Sequence, residues 1–301
     1  MCEEVTVWEN PKPCAAAYCR PVNFQFIKES EAVVKEEVAR VNEEIANLRP
    51  TEYESNTIEH QLLMTMVDAN ICTYLSEAKS NAACYICLAK PTEMNDLKQV
   101  GLKEISADML AFGLSSLHAR INIMECLLHI SYRLDLKKWS VRGKAEQELK
   151  DTKKKIIQDR FRSELGLLLD VVKQGYGTTN DGSTARRFFE NPVKTASITG
   201  LDMELIGRFA VILQALTSGE AVDIEKFRVY ALKPAERYVS LYNWYCMSST
   251  MHKILIHGAD IISRHAVIPI GSLSEEASEA RNKDFRRDVS QLESDSELDT
   301  A

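Results

Sequence analysis

The chain has 301 residues, of which 45% are hydrophobic and 27% charged, with a formal net charge of −7. That length can bury a core in one large or two ordinary domains, while the negative charge argues against nucleic-acid binding along the whole chain. No uninterrupted apolar run approaches the eighteen or so residues that span a bilayer, since 204–216 carries Arg208, so no membrane partner is expected.

The first residues, Met1-Cys2-Glu3-Glu4, are acidic and do not resemble a secretory leader, so an intracellular place is expected. In a reducing compartment the eight cysteines are metal ligands or buried small hydrophobes rather than disulfides. Cys2, Cys14, Cys19, Cys72, Cys126 and Cys246 are read as ordinary buried residues. Prolines at 11, 13 and 21 predict an irregular lead-in, and alternation of apolar and polar residues predicts a short strand over 23–27. Val33, Val34, Val38, Val41, Ile45 and Leu48 recur at helical spacing over 29–48, with Pro50 as the stop. Residues 62–67 read as a buried strand closing on Asp68. Beyond residue 87 the pattern is almost wholly helical, with helices expected over 114–136, 145–169, 184–189, 202–217, 223–246, 250–264 and 273–289. A glycine-rich turn at 174–182 breaks that series before Arg186 and Arg187.

Charge is unevenly spread. From 133 to 162 there are eleven Lys/Arg against five Asp/Glu, which leaves −13 for the rest. Part of that deficit is a tail carrying Glu293, Asp295, Glu297 and Asp299 without a basic residue, expected to be solvated. Lys137, Lys138, Arg142, Lys144, Lys153, Lys154, Lys155, Arg160 and Arg162 are candidates for neutralising phosphates. The turn ahead of Arg186 and Arg187 could present amides at a helix N-terminus. A solvated basic helix and an ordinary capped turn remain open as the alternative. The turn lacks the Gly-Lys-Ser/Thr ending of a nucleotide-binding loop.

Two short segments carry metal-ligand spacing. Cys84-Tyr-Ile-Cys87 places two thiols on one turn, and His252-Lys-Ile-Leu-Ile-His257 places two imidazoles about one helical turn apart. Together they supply four ligands suited to tetrahedral zinc. The gap between them is far longer than in a zinc finger, and spacing alone leaves open buried cysteines and unrelated histidines.

Read with Leu273-Ser-Glu-Glu-Ala-Ser-Glu-Ala-Arg-Asn-Lys283, these segments resemble the zinc-binding and catalytic C-terminal region of Transib-type transposases and the V(D)J recombination-activating recombinases. The resemblance runs through Asn10-Pro-Lys-Pro13, Cys19-Arg-Pro21, Met64-Thr-Met-Val-Asp68, Leu117-His118-Ala-Arg120, Thr179-Asn-Asp-Gly182, Thr184-Ala-Arg-Arg187 and Trp244-Tyr245. It implies a mixed α/β, predominantly helical fold: a partial RNase H-like core over 1–80, a large helical zinc-binding insertion over 81–265, and a catalytic-Glu helix with an acidic tail over 266–301. It implies one structural Zn2+ on Cys84, Cys87, His252 and His257. In the family, two Mg2+ or Mn2+ ions on two aspartates and a glutamate drive DNA cleavage and strand transfer. Asp68 matches the second aspartate and Glu279 the glutamate.

Residues 1–67 contain no Asp, so the first aspartate has no counterpart. Position 69 is Ala where the family commonly has Gly. The expectation is therefore a truncated, inactive relative that keeps zinc and some affinity for DNA. The alternative is a domesticated, non-enzymatic DNA- or protein-binding module, forming a homodimer or a mixed dimer with an intact transposase that it regulates. Nuclear residence follows from the resemblance alone.

Overall fold

A computed structural model of the chain describes residues 12, 15–19, 27–60, 69–112, 114–174, 177–265, 269–273, 276–278, 280–282, 284, 285 and 287. Helix α1, Glu31–Ala46, starts where Ser30 Oγ accepts the Val33 N–H, and it buries Val34. An exposed antiparallel hairpin follows, β1 Thr51–Tyr53 against β2 Asn56–Ile58, turning through Glu54 in the left-handed region at φ 54°. Helix α2, Ala69–Leu75, packs on α1 and buries Cys72. The strand expected over 62–67 and Asp68 lie outside the described residues, as do residues 23–26 of the other expected strand; Ile27 is exposed and in no regular element. Of the partial RNase H-like core expected over 1–80, the described residues form α1, the two-stranded β1–β2 hairpin and α2, and among them no larger sheet is formed.

The short α3, Leu97–Val100, leads to α4, Ser116–Ser131, the centre of the core. Ile123, Met124, Leu127, Leu128 and Ile130 of α4 are all fully buried, each contributing about 1.5–3 kcal/mol. Around α4 lie α6 Gly182–Glu190, α8 Met203–Thr217 and α10 Ser249–His252. The long α5, Lys144–Leu165, buries only Ile157 and Phe161. It ends four residues before the apolar pattern suggests, because Gly166 takes the left-handed cap at φ 61° that side chains resist. Two residue pairs, β3 Val172–Lys173 against β4 Gly177–Thr178, bracket the glycine-rich turn.

Helix starts from α6 to α10 are set by side chains. Asp181, Asn191, Asp202, Asp223 and Ser248 each accept a backbone N–H three residues on, and so open α6, α7 Pro192–Thr199, α8, α9 Ile224–Tyr242 and α10 in turn. Each such cap is worth about 1 kcal/mol. Helix α11, Gly258–Arg264, continues α10 through a π-turn, Lys253–His257, and this composite helix packs along α9.

The 3-10 turn Ile270–Leu273 rests against α8. A Cβ at Gly271 would fall 2.0 Å from the Ser218 carbonyl oxygen, so only glycine lets the chain pass there. Among the described residues, no helix is long and apolar enough to cross a membrane.

Candidate metal centre

Cys84 and Cys87 face each other on a tight turn. Leu88 N–H donates to the Cys84 carbonyl at 2.8 Å and Cys84 N–H to the Ala89 carbonyl at 2.9 Å. Closing that turn places Leu88 in the left-handed region at φ 57°, a conformation that costs a residue with a side chain about 1–2 kcal/mol. Strain of this kind gathers at ligand clamps.

The histidine half depends on the π-turn. On an α-helix, five residues at 100° each would leave His257 about 140° around the axis from His252. The wider turn over Lys253–His257 brings the two rings back to one side, with centroids 5.1 Å apart and planes inclined at 76°. π-Turns are rare and often mark functional positions.

The two halves converge. One ligand atom from each of Cys84, Cys87, His252 and His257 lies within 4.8 Å of every other, and all four residues are buried. Cys87 Sγ is 3.3 Å from His252 Nε2. Zn–S bonds of about 2.3 Å and Zn–N bonds of about 2.0–2.1 Å place tetrahedral ligands roughly 3.3–3.8 Å apart, so the cluster is close to the size zinc requires.

The donor chemistry fits as well. The neighbouring Cys84, and after it His252 and His257, hold the Cys87 thiol far below its ordinary range against the opposing effect of burial. Cys84 is pushed up by its bond to Cys87 and by burial. A zinc ion would take both sulfurs as thiolates and release their protons. Burial pushes the His252 imidazole below its usual value, towards the neutral form that ligates. Neither ring nitrogen of His257 has a hydrogen-bond partner among the described residues. A buried, unpaired imidazole is costly, and ligation would satisfy one of its nitrogens.

Secondary contacts hold the halves in register. Lys253, between the histidines, lies 4.2 Å above the ring of Tyr85, between the cysteines; a cation–π contact this shielded is worth up to about 2 kcal/mol. Asn95 donates to the carbonyls of Asn243 and Tyr245 at 3.2 and 2.9 Å and accepts from Met247 N–H at 2.9 Å. Ser249 Oγ donates to the Asn81 carbonyl at 3.0 Å. Tyr85, Asn95 and Lys253 carry no ligand signature, and only their position between or beside the ligands could have pointed to them.

Asp68 and Glu279 both lie outside the described residues. The chain just beyond Asp68 lines a cavity of about 100 Å³ with Ala69, Cys72, His118, Asn122 and Lys253. Glu276, on the same acidic run as Glu279, has its carboxylate 3.8 Å from Arg120 Nη1 and 3.9 Å from Arg186 Nη2. Of the remaining cysteines, Cys72 and Cys126 are buried, Cys19 and Cys246 are half-buried, and Cys2 and Cys14 lie outside the described residues.

The candidate phosphate-binding cations divide into two groups. Lys138 pairs with Glu146, Lys153 with Asp135 at 3.0 Å and Lys154 with Asp170 at 2.6 Å. Arg160 pairs with Glu164 and donates to the Ser197 carbonyl, and Arg187 caps α5 at the Leu165 carbonyl. Lys137, Arg142, Lys144, Lys155 and Arg162 are exposed, with no ion pair among the described residues. Helical spacing puts Lys144, Glu148, Asp151, Lys155, Asp159 and Arg162 on one solvent face of α5, and their signs cancel. At the start of α6 the Asp181 carboxylate already accepts from Thr184 N–H, so the turn presents an acid where an anion would sit.

The chain matches no known family model and no curated protein.

Proposed function

We propose that the chain is a zinc-stapled helical module related to Transib-type DDE transposases, acting by binding DNA rather than by cutting it. The observation that carries this reading is the convergence of Cys84, Cys87, His252 and His257, four correctly typed ligands from opposite ends of the helical region, within 4.8 Å. The sequence motifs that resemble the family add the lineage. In this reading zinc is structural: four protein ligands close its coordination sphere and leave no position for water or substrate. The residues that hold it fix the 84–87 turn against the composite helix, and so set the relative placement of the segments on either side.

The binding role rests on which of the family's carboxylates these residues supply. A two-metal phosphoryl transfer clamps both attacking and leaving oxygens, which in the family takes three carboxylates. Only Asp68 and Glu279 match, and residues 1–67 contain no Asp. Mg2+ or Mn2+ on two carboxylates would be held too loosely to stabilise both oxygens. DNA contact falls to the cations that the fold leaves free, and nuclear residence accompanies it.

The test is made on the purified full chain. Metal analysis is expected to give one zinc per chain, and supercoiled plasmid incubated with Mg2+ or Mn2+ is expected to stay intact while binding is retained. Absence of zinc would overturn the staple. Nicking that disappears in Asp68→Ala would overturn the non-enzymatic reading.

A further inference from the structure

We infer that the loop joining α4 to α5 is a contact for single-stranded nucleic acid, with Trp139 as the ring on which an unpaired base stacks. The inference deepens the DNA-binding reading and rests on it.

Trp139 is 49% exposed, although its indole is among the most expensive side chains to leave in water. It is nevertheless held firmly. Its inner side packs on Tyr245, with ring centroids 4.3 Å apart. Tyr245 is buried, meets the edge of Trp244 at 5.7 Å, and carries the Arg133 guanidinium 5.8 Å from its ring centroid. The Tyr245 carbonyl is fixed in turn by Asn95 and by Tyr238 Oη at 3.3 Å. The indole is therefore packed at a 52° tilt against a buried tyrosine, while 49% of the residue stays exposed. A fixed aromatic shelf of this kind offers a base a π-face with little loss of side-chain freedom on binding.

The charges around the shelf suit a phosphate backbone. Lys137, Arg142 and Lys144 lie within five residues of Trp139, are exposed, and have no ion pair among the described residues. The other nearby cation, Lys138, is engaged by Glu146. Lys137 sits in the left-handed region at φ 50°, where its N–H donates to the Arg133 carbonyl at 2.8 Å. Glycine or asparagine would occupy that position without the strain that lysine bears. A charged side chain kept at a strained loop position beside an exposed tryptophan is the combination expected of a binding loop.

Three free cations also decide between single strand and duplex. Neutralising three phosphates gives only a shallow electrostatic term, too little for firm duplex binding by a chain of net charge −7. Stacking can supply the remainder, and it needs a base that is not already stacked in a helix.

The experiment uses the zinc-loaded full chain and fluorescence anisotropy with a labelled 20-mer oligo(dT) and a 20-bp duplex, across a salt series. The single strand is expected to bind more tightly than the duplex, with a log–log salt slope of about −2, from three phosphates at roughly 0.7 each. Trp139→Ala should weaken single-strand binding about tenfold or more while its circular-dichroism spectrum at the assay temperature matches the parent, and Trp139→Phe should keep most of the binding. Lys137→Gly should lower the salt slope by roughly 0.7 without lowering the melting temperature. Single-strand affinity unchanged within twofold in Trp139→Ala, with duplex binding intact, overturns this inference alone. If the parent chain binds neither probe, the DNA-binding reading falls and this inference with it.

Discussion

Cys87 Sγ lies 3.3 Å from His252 Nε2, although 165 residues of chain separate them. A link between points so far apart removes much of the freedom of the unfolded chain. By the relation used for cross-links, closing a loop of that length is worth about 5 kcal/mol, before any bond energy of the metal itself. The link adds to the burial that Tyr85 and Ile86 share with Met251, Ile254 and Leu255 in one apolar core, and to the contact of Lys253 with Tyr85.

Zinc removal is therefore expected to lower the melting temperature markedly and to loosen 81–95 and 249–264 first. Hydrogen exchange before and after chelation reads this directly. Cys84→Ser and His252→Ala should reproduce the effect in the presence of excess zinc. A melting curve and exchange pattern indifferent to chelator and to both substitutions would remove zinc from the account.

Much of this centre was legible in the sequence, and the reason is local. Residue types at ligand spacing and the helices expected over 202–217 and 223–246, which open at the capping Asp202 and Asp223, all act through near neighbours, so the sequence exposes them. The pairing of Lys153 with Asp135 and of Lys154 with Asp170 was not legible, because it depends on how α5 lies against the turns that flank it. The +6 excess of the segment therefore overstated its free charge. Helix α7 escaped notice because it follows α6 after Asn191 alone, although Asn191-Pro192 is a cap followed by a proline suited to a first helical position. The π-turn lay beyond spacing rules altogether, since it depends on how the helix that follows packs.

Gly271 makes a prediction about the C-terminal segment. Its missing Cβ lets the 3-10 turn press on the Ser218 carbonyl, and the obstruction a side chain would meet is backbone, which cannot rotate away. Gly271→Ala should destabilise the fold by about 2–4 kcal/mol, in the range of severe overpacking, or else detach the turn from α8. Limited proteolysis distinguishes the outcomes: a detached segment is cut near residue 270 at native temperature. A variant as stable and as resistant as the parent would show that the approach is looser than 2.0 Å implies.

Two histidines outside the metal centre set a pH dependence. Burial pushes His129 and His265 below the ordinary histidine value. With folded values depressed and unfolded values near 6.5, the unfolded chain binds more protons in the window below about 6.5. Stability is then fully present above that pH and falls as the solution is acidified, by at most about 1.4 kcal/mol per pH unit for each group. Zinc release acts in the same direction, so the diagnostic is a difference. The His129→Gln, His265→Gln double variant should show a shallower decline in unfolding free energy between pH 6.5 and 5 than the parent. Equal slopes would mean that the two rings titrate normally.

The sharpest test of the centre is to move one ligand by a single position. Exchanging Ile256 and His257, as Ile256→His with His257→Ile, leaves composition unchanged and gives the histidines the i, i+4 spacing that an α-helix brings to one face. The exchange would succeed if the π-turn relaxed to an α-turn. Relaxation would rotate α11 by one residue and pull Ile261 and Ile262, 0% and 6% exposed, out of the core. Losing the burial of either costs roughly 2–5 kcal/mol, so the helix is held to its π-turn by packing further along. Position 256 therefore stays directed away from the thiolates, and the exchanged histidine cannot reach the metal. Zinc affinity, measured by competition with a chromophoric chelator, is expected to fall at least a hundredfold while the helical signal in circular dichroism persists. Equal zinc affinity in the exchanged chain would show that the π-turn is incidental and that the cysteine turn adapts to either spacing.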